Sequence, residues 1–186
     1  MLDIVAAEDL ELIKLDVKMK FLHGDLEEAI YMEQPKDFVV SGQEHLICRL
    51  MKSLYGLKQA SRQWYKKFDD FIQSVGFLKS DEDHCLFTKT NKDGSPIFLI
   101  IYMDGMLLSG QHARELAELI WQLQLKFAMK DLGPTRHILG MKINRIQTRR
   151  QLFLSQADYI GHVSEHFNMQ SAKSASTPLP IYLRPN

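Results

Sequence analysis

Apolar positions change their period several times along this 186-residue chain, and each change marks an element. Leu10 to Val17 nearly alternates apolar and polar residues, which predicts a strand ending around Asp16. Leu46 to Leu50 reads as another. Between Ser61 and Val75, the residues Trp64, Phe68, Phe71, Ile72 and Val75 share one helix face, with Gly76 as the C-terminal cap. Cys85 to Thr90 and Ile97 to Met103 read as paired strands, joined through the turn residues Asn91 to Pro96. The second of these is apolar on both faces, which predicts a central, covered strand. Leu116, Ile120, Leu123 and Phe127, widened by Leu119, form the stripe of a second helix, and Gly133-Pro134 then breaks the pattern. Met141, Ile143 and Ile146 suggest a strand, 147–151 a polar turn, and Leu152 to Leu154 its hairpin partner. Ser155 with Asp158 three residues later has the form of a capping box, for a third helix carrying Ile160, Val163 and Phe167. Strands and helices at these lengths predict an α+β sandwich: one sheet with helices on a face.

Composition excludes wholesale disorder, since 45% hydrophobic and 25% charged residues are globular proportions. Twenty-three basic residues against twenty-three acidic ones give zero net charge, which on the total argues against nucleic acid. The distribution is less neutral. Residues 1–50 carry −6, 51–80 +4, 81–125 −4, 126–150 +6, and the last two stretches −2 and +2. These blocks form either opposed surfaces of one fold, including a phosphate track, or ordinary solvated faces; block charge alone favours the second. Cys48 and Cys85 lack CxxC spacing, so neither a zinc site nor a disulfide framework is indicated. The acid-studded N-terminus is no signal peptide, and the longest apolar run, Ile97 to Met103, is too short to span a bilayer. The expectation is an intracellular, non-secreted protein that does not engage a membrane.

Two aspartates stand in apolar strand surroundings. Asp16 follows Leu15 at the end of the first strand, and Asp104 follows Ile-Ile-Tyr-Met. Neighbouring central strands would bring them together, and paired carboxylates at strand ends hold hard cations such as magnesium. Two such ions, about 3.5–4 Å apart, clamp the attacking and leaving oxygens in phosphoryl transfer. The plainer alternative is that each Asp only ends its strand in a turn, which is common.

Longer blocks go further. LDVKMKFLHGDLEEAIYMEQP, SLYGLKQASRQWYKKF, LIIYMDGMLLSG, FAMKDLGPTRHILGMKI and LSQADYIGHVSEHFNM, ending STPL, resemble the reverse transcriptase of copia-type retrotransposons over nearly the whole chain. The resemblance implies an α+β polymerase palm, a ferredoxin-like antiparallel sheet with helices packed on one face. It implies a palm and the start of a thumb-side region over 1–170, and a loop-like tail over 171–186. The activity implied is two-metal, RNA-directed DNA polymerisation with magnesium, an RNA template, a DNA primer and deoxynucleotides. Asp16 matches the first catalytic aspartate and Asp104 the first of the Y-V-D-D pair; both would be metal ligands. Phe21 matches the aromatic gate that leaves no room for a ribose 2′-hydroxyl. Gly56, Lys58, Gln59 and Arg62 fall on the nucleotide and template side, where cations meet phosphate. Leu139, Gly140 and Met141 match the primer grip, with Arg145, Arg149 and Arg150 beyond it, either on duplex backbone or in an exposed basic turn. Asp25 is assigned to a structural turn. Relatives work as parts of a Pol polyprotein, in cytoplasmic particles and then the nucleus.

The sequence departs from the pattern in ways that bear on activity. Gly105 replaces the second aspartate of the pair, removing a carboxylate from the metal site. Met19-Lys20 stands where the family has Thr-Ala, placing a cation beside Phe21. Ser61 replaces the proline of Q-A-P-R, where serine can cap the following helix. Most of the fingers and the rest of Pol are expected to be missing. The expectation is therefore an inactive copy, or alternatively a non-catalytic remnant or weak nucleic-acid-binding module, with exposed apolar surface and marginal solubility.

Overall fold

The computed structural model describes residues 1–103 and 105–173. A short helix α1 (Leu2–Ala7) leads into strand β1 (Glu11–Val17), and a two-stranded ribbon follows, β2 (Tyr31–Glu33) with β3 (Ile47–Arg49). Helix α2 (Ala60–Ser74) precedes β4 (Leu78–Lys79), β5 (Leu86–Thr90), β6 (Pro96–Tyr102) and β7 (Gly105–Gly110). Helix α3 (Ala113–Lys126), strands β8 (Met129–Pro134), β9 (His137–Ile138), β10 (Met141–Ile146) and β11 (Gln151–Ser155), and helix α4 (Ala157–His166) complete the described chain. Thus the α+β class holds, with antiparallel sheets and four α-helices among the described residues. The predicted tail lies mostly outside them.

The main sheet has six strands in the order β4-β5-β6-β7-β1-β8, antiparallel throughout. Alternation along each strand sends successive side chains to opposite faces. One face carries Leu15, Val17, Leu99, Ile101, Met106 and Leu108 into the principal core, under Trp64, Phe68 and Ile72 of α2 and Leu116, Leu119, Ile120 and Leu123 of α3. The predicted apolar stripes of both helices thus face the core, with Phe71 and Val75 of the first only partly buried. Gly110 permits the close seat of α3, because a Cβ there would come within 3.0 Å of the Leu116 side chain. Aromatic rings tie the layers together: Trp64 and Phe127 meet edge to face at 5.0 Å, and Phe68 lies 5.9 Å from Phe87. Gly76 takes φ +94° at the end of α2, the cap its position predicted.

The opposite face is covered only at one end. There Leu12 and Leu107 join Val5, Leu10 and Ile143 in a smaller core, beneath α1 and the β9–β11 sheet. So β6 is central, as predicted, but its second face is half-buried rather than sealed.

Several expectations require correction. Gly133-Pro134 does not break the helical stripe, which ends at Lys126; it closes β8, an edge strand that pairs Ile13 with Pro134 and Asp16 with Lys130. An edge strand tolerates proline, and the register shift between Ile13 and Leu15 absorbs the irregularity. Ser155 forms no capping box: Gln156 is the N-cap, and the Ser155 hydroxyl instead accepts from the Ala157 amide at 3.2 Å. Nor does Ser61 cap α2, since the helix starts earlier, with Gln59 as the N-cap and no side-chain cap bond. The third predicted helix exists, yet Ile160 and Phe167 are exposed, so its stripe is not core.

Candidate active-site cleft

Asp16 sits at the end of β1 on the face away from α2 and α3, half-buried, directly opposite Gly105 of β7. Residues paired across an antiparallel ladder share a face, with Cβ atoms about 4.5–5.5 Å apart. Beyond the smaller core, this face opens into a cleft of about 680 Å³. Its floor is strand: Lys14 and Asp16 from β1, Ile100 and Tyr102 from β6, Gly105 and Leu107 from β7. The remaining wall comes from Met1, from Leu2 and Asp3 of α1, and from His137, Ile138, Leu139 and Leu154.

Two tight hairpins meet the cleft. Tyr102 pairs with Gly105 at the first, and Ile138 with Met141 at the second. Met103 and Leu139 both line the cleft and both take φ +51°; Gly140 follows Leu139 at +74°. Left-handed backbone is uncommon for bulky residues and costs roughly 1 kcal/mol or more at each. Asp104 lies outside the described residues; its chain neighbours Met103 and Gly105 line the cleft.

The expected site residues therefore divide into two groups. Asp16 and Leu139 line the cleft, whereas Phe21, Gly56, Lys58, Gln59, Arg62, Gly140 and Met141 are not among its lining residues. Phe21 lies in a single helical turn, Lys20–His23, and meets Tyr55 edge to face at 4.7 Å. Tyr55 precedes Gly56, whose φ of +93° turns the chain toward α2, so the gate candidate and the turn are neighbours. Lys20 is buried with its ammonium 4.7 Å from the Phe21 ring centroid, a cation–π contact. Lys58 and Arg62 are exposed, and Gln59 makes a long contact, 3.5 Å, to Glu28.

Around α2 the charges are largely internal. Lys67 donates to Asp25 at 2.7 Å, Lys52 donates to the same carboxylate, and Lys66 pairs with Glu27. Asp25 is held down to about 2, first by the hydrogen bond from Lys52 and next by that from Lys67. Lys66 likewise keeps the Glu27 carboxyl below its ordinary range. The structural assignment of Asp25 is consistent with these contacts.

Arg145 and Arg150 are both engaged within the chain. The Arg145 guanidinium donates to the Leu10 carbonyl at 2.6 Å and to Asp9 at 2.5 Å, while Arg150 donates to the Ala7 carbonyl at 3.2 Å. These two arginines fasten the β10–β11 hairpin to the end of α1 and to the Asp9–Leu10 segment that follows it. Sequence reasoning missed Asp3, Lys14 and His137 as cleft residues. Only Lys14 left a signal, two positions from Asp16 and therefore on the same strand face.

A hard divalent cation is held by one or two carboxylates together with waters and substrate phosphates. Asp16 offers one such carboxylate at the cleft floor; Gly105 offers none. Among the described residues there is no group of three or more His, Cys, Asp or Glu placed to hold a metal ion. Likewise, no described helix is long and apolar enough to cross a membrane.

Comparison with known proteins yields one family. The model of the family described as reverse transcriptase (RNA-dependent DNA polymerase) matches residues 1–181. The chain is 52% identical over 98% of its length to a retrovirus-related Pol polyprotein from transposon TNT 1-94 of Nicotiana tabacum, covering 14% of that protein. It is 34% identical over 89% of its length to the Pol polyprotein from transposon RE1 of Arabidopsis thaliana, covering 11% of it. A putative transposon Ty5-1 protein of Saccharomyces cerevisiae is 29% identical over 89% of the chain, which spans 53% of that relative. No solved structure matches the chain.

Proposed function

The chain belongs to the reverse transcriptase (RNA-dependent DNA polymerase) family, and we propose that it is the palm portion of a retrotransposon Pol polyprotein whose nucleotidyl transfer is largely lost. In this reading residues 1–170 supply the palm and the start of the thumb side. Asp16 and Asp104 would hold magnesium, and bound divalent ions stabilise developing charge and align the attacking and leaving oxygens. Phe21, buttressed by Tyr55, excludes a 2′-hydroxyl by bulk. Gly56, Lys58, Gln59 and Arg62 meet nucleotide and template phosphates. Leu139, Gly140 and Met141, in a hairpin turn at the cleft, seat the primer end. What remains without catalysis is a weak nucleic-acid-binding module.

The single supporting observation is the pairing of Asp16 with Gly105 on the open sheet face. A carboxylate at 105 would stand beside Asp16; glycine leaves that place without charge. The backbone there accepts a side chain, because a Cβ on Gly105 would meet the carbonyl oxygens of Tyr102 and Leu15 at 3.6 and 3.8 Å, ordinary contacts. The test is magnesium-dependent extension of a DNA primer on an RNA template. The Gly105→Asp protein is expected to exceed the natural chain by roughly a hundredfold to a thousandfold, the scale of one lost electrostatic group at a reacting centre. Asp16→Ala should abolish the remainder. Equal extension by the natural and Gly105→Asp proteins would overturn the reading.

A further inference from the structure

Helix α3 is apolar on two sides. Leu116, Leu119, Ile120 and Leu123 enter the core, while on the outer side Trp121 is 59% and Leu125 68% exposed. These two stand four residues apart and share a face, which the exposed Glu118 and Arg114 continue at helical spacing toward the N-terminus. Beside them α2 and α3 border a groove of about 310 Å³, lined by Phe71 and Val75 of α2 and by Gln122, Leu125 and Lys126 of α3. One small surface thus carries both an exposed indole and an apolar hollow. Lys126 lies over the Phe71 ring, 5.9 Å from its centroid. Neither Lys126 nor Glu118 belongs to an ion pair among the described residues. Both helices cover the sheet face opposite the candidate cleft, so the groove and the cleft lie on different sides of the sheet.

We propose that this α2–α3 surface docks a second copy of the chain, the two α3 helices running antiparallel about a two-fold axis at Gln122. That axis sets Glu118 level with Lys126 of the second copy, because the two stand four residues from Gln122 in opposite directions. Two symmetry-related ion pairs result, made by charges that have no ionic partner within one chain. At 1.5 Å rise per residue, Trp121 lies about 3 Å along the axis from the level of the second copy's Leu125. The indole therefore fills the second copy's groove, and the first copy's groove receives the other indole. The Gln122 amides meet at the axis, where each donates to the other and accepts from it. Such a knob and hollow on one patch, with opposed charges in register, is the self-complementarity of an isologous dimer. With α3 only 14 residues long, the contact is small and the dimer reversible. The interface goes beyond the polymerase reading: it owes nothing to Asp16 or Gly105 and leaves the cleft open.

The experiment is sedimentation equilibrium of the full chain across a wide concentration range, without nucleic acid or divalent metal, so that its outcome is independent of the polymerase site. A reversible monomer–dimer equilibrium is expected. Trp121→Ala should raise the dissociation constant by about thirtyfold, the scale of an interface hot spot. Glu118→Lys and Lys126→Glu should each raise it by about tenfold, since each sets like charges opposite one another. The chain carrying both exchanges restores two opposite-charge pairs and should return to within about threefold of the natural chain. All three positions are exposed, so circular dichroism melts of the variants should match that of the natural chain. A chain that stays monomeric throughout, a dimer indifferent to Trp121→Ala, or a double variant no tighter than either single exchange would each sink the proposal.

Discussion

On one face of the central sheet Leu15, Leu99 and Leu108 are fully buried beneath two helices, while on the other Lys14, Asp16 and Tyr102 border an open cleft. The two sets alternate along the same strands, so one backbone serves both purposes. The covered face is redundant in chemistry: any well-fitting apolar side chain preserves it. The open face carries single, irreplaceable groups that stabilise nothing obvious, and there one glycine changes what the surface can do. A substitution should therefore report its face by whether stability or chemistry moves.

The largest expected effect lies under the helices. Phe68 is fully buried and touches Trp64, Phe87 and Phe127, so Phe68→Ala should cost about 3–5 kcal/mol in denaturant unfolding. Tyr102→Ala, at a position 57% exposed on the other face, should change stability by less than about 1 kcal/mol. Comparable losses from the two variants would erase the distinction between the faces.

Legibility in the sequence followed the same division. Helices α2 and α3 were readable because Phe68 and Leu116 recur with their neighbours at helical spacing, and tertiary packing uses those stripes. The hairpin of β5 and β6 was readable through Asp93 and Gly94. By contrast, β8 hides behind Gly133-Pro134, since pairing at a sheet edge is decided by a distant strand rather than by local propensity. The capping signature at Ser155 failed for a local reason: the helix begins one residue later than the motif requires. At the site, the quoted blocks pointed to Asp16 and Leu139, both of which line the cleft. Lys14, Asp3 and His137 escaped because their convergence depends on α1 and the β9–β11 sheet folding over the strand ends.

Arg145 tests the junction between the two faces. It reaches from β10 to the Leu10 carbonyl and to Asp9, holding the small sheet over the partly covered end. Arg145→Ala leaves those acceptors without their charged donor and should cost roughly 1–3 kcal/mol in thermal or denaturant melts. Because the β10–β11 sheet forms a wall of the cleft, amide shifts should spread to Leu139 and Leu154. A melt unchanged from the natural chain would return Arg145 to the role of a free phosphate contact.

The smallest effect belongs to charge pairs outside both faces. Asp25 is exposed and bonded to Lys52 and Lys67, which hold its carboxyl down to about 2. A depressed acid stabilises the fold above its unfolded-state value, about 3.9, and that contribution fades as pH falls through the folded-state value. Asp25→Asn should thus be slightly less stable than the natural chain near neutrality, by under about 1 kcal/mol because solvent screens the pair. The gap should close as pH is lowered from about 4 toward 2. Unfolding midpoints of both proteins across that range measure it directly. A gap that widens on acidification would mean that Asp25 acts as a protonated hydrogen-bond donor, and the lysine pairing could not then be what anchors this loop to α2.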